Sequence, residues 1–87
     1  MITLELTFTP TEDRLEARPA HRQILERLHG DGTLIAAGPW LDDSGALLVF
    51  DTDRDAVNRV IAEDPYYRTR GVTIASIREW TPIVGPR

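Results

Sequence analysis

Eighty-seven residues leave room for one hydrophobic core, so residues 1–87 read as a single domain with 82–87 as a mobile tail or arm. A composition of 41% hydrophobic and 28% charged residues is that of a globular chain, and a net charge of −4 with ten scattered arginines excludes a nucleic-acid-binding face. The absence of cysteine excludes disulfides and thiolate metal chemistry, two histidines alone cannot build a metal site, and no apolar run approaches the roughly 18–20 residues of a bilayer span.

The chain opens on Ile2, Leu4, Leu6 and Phe8 alternating with Thr3, Glu5, Thr7 and Thr9. This period of two predicts a strand over 2–8 with one buried face, ended by Thr9-Pro10-Thr11. Such a start carries neither the basic segment nor the apolar core of a signal peptide, and the cytoplasm is the expected location. Residues 12–18 are charged and indeterminate, and a helix is expected from Pro19, a residue suited to a first helical position, to Gly30. Ile24, Leu25 and Leu28 form its apolar stripe. At 100° per residue, His21 falls between Ile24 and Leu25, inside that stripe. A second strand follows over 33–37 and ends at Gly38-Pro39. Asp42-Asp43-Ser44-Gly45 supplies a hairpin turn, and Ala46 to Phe50 forms a third strand so apolar that both of its faces need cover.

Thr52 followed by Asp55 resembles a capping pair for a second helix over about 53–63, which Asp64-Pro65 stops. The last strand runs from Val72 to Trp80. Val72 and Ile74 alternate, but Ile77 has the opposite parity, which predicts a bulge near Ser76. The order βαββαβ implies an α+β, ferredoxin-like domain with a four-stranded antiparallel sheet and both helices on one face. The other face then requires a second sheet, most simply from a second copy of the chain. The expected partners are therefore the chain itself, as a homodimer or a larger assembly, and a small-molecule ligand.

Five segments recur together in a known family: Arg18-Pro-Ala-His21, Gly32-Thr-Leu-Ile-Ala-Ala-Gly-Pro39, Gly45, Glu63-Asp64-Pro65-Tyr66 and Ile77-Arg-Glu-Trp80. In this ordered combination the chain resembles the YCII (YciI-like) family. The resemblance implies a dimeric α/β barrel, in which the sheets of two subunits pack together. It also implies a His–Asp pair, here His21 and Asp64, at the active site. A few members of the family are dehydrochlorinases of chlorinated aromatic breakdown products. The chain departs from the family pattern in Pro19 directly after Arg18, and in Tyr66 where phenylalanine is commoner.

The residues themselves permit two readings. In the first, His21 is a general acid or base and Asp64 sets its tautomer and raises its pKa, while Arg18, Gly38, Pro39, Ser44 and Tyr66 hold a small anionic or aromatic metabolite. No phosphate loop, nucleophile elbow, dinucleotide fingerprint or metal cluster is present, so the elimination, isomerisation or lactone chemistry would need no cofactor. In the second, His21 and Asp64 are a buried structural pair in a non-catalytic, dimeric ligand-binding or accessory module. An acid at the C-terminal end of a helix is electrostatically misplaced and needs a partner in either case. A cofactor-free oxygenase on the same architecture is a third option that no residue selects.

Overall fold

The computed structural model describes residues 1–85. Strand β1 spans Ile2–Phe8, helix α1 Glu12–Gly30, β2 Leu34–Pro39, β3 Gly45–Phe50, helix α2 Arg54–Glu63, a 3₁₀ turn Pro65–Arg68, and β4 Val72–Glu79. The strands form one antiparallel sheet in the order β2-β3-β1-β4. This is the ferredoxin-like arrangement. The alternation of β1 survives intact: Ile2, Leu4 and Leu6 are buried, and Thr3 and Glu5 are only partly so. Leu4, Leu6, Leu48, Phe50 and Val57 are fully enclosed and form the centre of a core between sheet and helices.

Opposite that core, the sheet presents Thr3, Glu5, Leu47 and Val49, paired as Thr3↔Val49 and Glu5↔Leu47. No helix covers this mixed surface among the described residues. The register of β1 against β4 shifts between Glu5 and Leu6, so that Glu5 pairs with Ser76 and Leu6 with Ile74. Ala75 is the extra residue, which accounts for the parity change next to Ser76.

Helix α1 begins seven residues earlier than the pattern from Pro19 suggests. Thr11, in extended conformation, caps it by accepting a hydrogen bond from the Arg14 backbone N–H at 3.2 Å, and Glu12 and Asp13 occupy the first turn, where acids suit the dipole. Pro19 therefore lies inside the helix, where it lacks the N–H that would bond to the Leu15 carbonyl. The Thr11 hydroxyl also donates to the Arg70 carbonyl at 2.7 Å, and Gly71 (φ 98°) leaves no room for a Cβ beside that hydroxyl. The start of α1 is thereby fixed to the start of β4. Helix α2 is capped by Asp53, one residue after the expected Thr52, through a hydrogen bond from Ala56 N–H to Asp53 Oδ1 at 2.8 Å. The expected tail begins at Pro82; residues 83–85 form bends, and Pro86 and Arg87 lie outside the described residues.

Candidate functional site

Three side chains on α1 are buried, Arg14, His21 and Leu28, and they recur every seven residues. Seven residues is close to two turns, so these positions share one face. Leu28 meets the apolar core. The other two meet carboxylates brought from elsewhere in the chain.

His21 Nδ1 lies 2.7 Å from Asp64 Oδ2, and both residues are almost fully enclosed. Asp64 occupies the break between α2 and the 3₁₀ turn, where Pro65 forces extended backbone. Its second oxygen, Oδ1, accepts from the Tyr66 backbone N–H at 3.0 Å. The carboxylate thus performs both tasks open to it, capping the turn and holding the imidazole. The Tyr66 ring stacks on His21 at 3.8 Å between centroids and 8° between planes, and Tyr67 meets the imidazole edge-on at 5.4 Å. Burial raises the Tyr67 phenol pKa, with the charge of Asp64 adding to it, so Tyr67 stays protonated.

The sequence predicts that Asp64 raises the His21 pKa. The opposite holds. Removal from water outweighs the hydrogen bond and charge of Asp64, Arg22 adds repulsion, and the imidazole lies below its ordinary 6.5. At neutral pH the ring is therefore uncharged. With Asp64 as acceptor, its one proton belongs on Nδ1 and the lone pair on Nε2. Nε2 has no partner among the described residues and is not sealed from solvent.

His21 forms part of the wall of a cavity of about 500 Å³ between α1 and β2. That volume lies in the range of small-molecule sites. Arg18, Gly38, Pro39 and Tyr66 line it as well. Asp64 stands behind His21 and does not reach the cavity surface, which accords with a partner of the imidazole and not of a ligand. Gly38 contributes backbone, since a Cβ there would meet open space. Ser44 is not in the cavity wall. Its carbonyl accepts from Phe8 N–H at 2.9 Å, and it borders shallow surface hollows near Trp40. The hairpin residue that does reach the cavity is Asp43, in left-handed conformation (φ 59°). Gly45 next to this turn has no alternative, because a Cβ there would run into the Leu6 carbonyl on β1.

Arg14 also lines the cavity, although its place in a charged run suggests a solvated side chain. Its guanidinium donates to Asp43 Oδ2 at 2.7 Å and lies 4.3 Å from the centroid of the Phe8 ring. Burial works against the charge, but Tyr66 and Asp43 more than restore it, so Arg14 remains cationic. The signal was present in the spacing: Arg14 precedes His21 by seven residues and Leu28 by fourteen.

No curated protein matches the chain. Among solved structures it is similar to 5-chloro-2-hydroxyhydroquinone dehydrochlorinase from Burkholderia phenoliruptrix AC1100, determined in complex with 2,5-dihydroxybenzoquinone. The identity is 21%, the match covers 93% of this chain and 94% of that one, and the TM-score is 0.65, a likeness of fold. The family model of the YCII-related domain matches residues 2–81. The chain that buries His21 against Asp64 beneath its α1–β2 cavity therefore belongs to the YCII-related family.

Proposed function

We propose that the domain is a small enzyme that performs general acid–base chemistry on a compact anionic or aromatic metabolite, without a cofactor, through His21 and Asp64. The observation that carries this reading is the 2.7 Å contact between Nδ1 and Asp64 Oδ2, which leaves Nε2 unpartnered at a small-molecule-sized cavity. A neutral imidazole in that tautomer is a base. Nε2 takes a proton from the substrate, and the electron pair of the broken bond forms a new double bond or an enolate. In an elimination, the leaving group departs with its own electron pair. Asp64 stabilises the imidazolium as it forms, and the imidazolium then returns its proton to the leaving group or to water. Positioned proton transfer of this kind contributes about 10²–10⁴-fold in rate.

Hydroxylated, halogenated ring compounds are the first substrates to try, since the similar solved structure is a dehydrochlorinase holding a dihydroxybenzoquinone. The uncovered sheet face with the half-buried Leu47 and Val49 is the surface through which a second copy would pack, completing the barrel. Analytical ultracentrifugation showing a stable monomer at micromolar concentration would remove the dimer. In this reading the protein works in the cytoplasm.

One observation favours a structural reading instead: Asp64 also caps Tyr66, so the pair fastens the 3₁₀ turn to α1 in a binding or accessory module. Replacing His21 by Gln separates the two. A folded variant that loses turnover supports the enzyme. Unchanged turnover of a substrate that the wild type converts would sink the acid–base role, and that result together with large destabilisation by both His21→Ala and Asp64→Asn marks the structural one.

A further inference from the structure

Acid–base chemistry at His21 leaves unused a second buried polar side chain on the same face of α1, about 10 Å nearer the helix N-terminus. Arg14 is 5% exposed, and its Nε is buried with no hydrogen-bond partner. Nη2 donates to Asp43. The Tyr66 hydroxyl lies beside the guanidinium, and Arg14 lines the α1–β2 cavity.

Stability does not explain this arrangement. A buried guanidinium carries a desolvation cost, and an apolar side chain would pack against Phe8 without it. Five N–H donors face one carboxylate and the Tyr66 hydroxyl, and Nε is left without a partner at a position where buried donors are normally satisfied. Three arginines line the cavity, Arg14, Arg18 and Arg22, against two carboxylates, Glu26 and Asp43. This local positive excess sits in a chain of net charge −4, so the cavity draws anions that the rest of the surface repels.

We propose that Arg14 is the recognition residue for an oxyanion of the ligand, either a carboxylate or the ionised hydroxyl of a hydroxyquinone, and that Asp43 holds the guanidinium in place and competes for it. The inference rests on reading the α1–β2 cavity as the substrate site, and it specifies the class of molecule that site takes. Tyr66 connects the two residues: its ring lies against His21 and its hydroxyl end beside the Arg14 guanidinium. Arg14 and His21 therefore flank the same tyrosine in the wall of one cavity.

The test is equilibrium binding by calorimetry, with benzoate, its neutral counterpart benzamide, and 2,5-dihydroxybenzoquinone as probes. At least one anion should bind the wild type about tenfold or more tightly than benzamide, the range of a charge-assisted hydrogen bond. The anion that gains identifies the carboxylate or the ring oxyanion as the group recognised. Arg14→Gln should erase the preference. Asp43→Asn, which keeps a side chain tolerant of positive φ, should strengthen anion binding about threefold to tenfold by removing the competitor. It decides the matter even where the Arg14 variant does not fold. A wild type that does not prefer either anion overturns the inference. So does a folded Arg14→Gln that retains the preference, or an Asp43→Asn that weakens anion binding or leaves it unchanged. Binding is read without turnover. Anion preference in a chain that converts no ring substrate defeats the acid–base reading alone, whereas turnover that survives loss of the preference defeats the role of Arg14 alone.

Discussion

Helix α1 makes two contacts of the same length, 2.7 Å, with carboxylates from distant parts of the chain. At one, the side chains of His21 and Asp64 are 7% and 3% exposed; at the other, Arg14 is 6% exposed but Asp43 is 48% exposed. Equal distance does not mean equal energy. Water screens Asp43 and can replace it, so the Arg14 contact is exchangeable. No water replaces Asp64, which also caps the Tyr66 backbone, so the His21 contact is a fixed part of the architecture. The difference teaches that the solvent access of the weaker-buried partner, and not the separation, decides whether such a pair holds a fold together or responds to a ligand.

The sharpest break in the comparison is expected at His21. Replacement by Gln should lower turnover by about 10²–10⁴-fold with the fold retained, as seen by steady-state rates beside circular dichroism. Next comes Asp64→Ala, which orphans two buried donors, the His21 Nδ1–H and the Tyr66 N–H. At roughly 1–3 kcal/mol for each, urea denaturation should show a loss of about 3 kcal/mol or more.

The pH dependence should come third. Folding lowers the His21 pKa below 6.5, so the unfolded chain binds the extra proton first. Stability from this group is complete above 6.5 and falls as the pH drops from there toward the folded-state pKa, by at most about 1.4 kcal/mol per pH unit. Comparison of melts across that window should show a flatter profile in His21→Gln than in the wild type. The smallest effect belongs to Asp43→Asn, expected to change stability by less than about 1 kcal/mol because its carboxylate is half exposed. A loss at Asp43 comparable to that at Asp64 would collapse the distinction between the two pairs.

Much of the architecture was legible where the local pattern is strong. The alternation from Ile2 to Phe8 marks β1 with its buried face, and the parity break at Ile77 marks the bulge beside Ser76. His21 stood out because an imidazole between Ile24 and Leu25 on the wheel contradicts a wet position. Arg14 did not stand out, although it shares that stripe, because residues 12–18 are mostly charged and a charged run reads as solvated. Pro19 compounded the error by suggesting a helix start where Thr11 had already supplied the cap. Ser44 attracted notice as a hydroxyl in a turn, but the left-handed backbone at Asp43 brings the preceding residue to the cavity instead.

The chain by itself determined the order of elements, the buried face of β1 and the presence of an imidazole on an apolar stripe, because these depend on neighbours within a few residues. Tertiary structure alone decided which carboxylate each α1 side chain meets, since Asp43 and Asp64 arrive from positions 29 and 43 residues away. It also decided the sign of the His21 pKa shift. Desolvation and an adjacent anion push that value in opposite directions, and only the degree of enclosure determines which prevails.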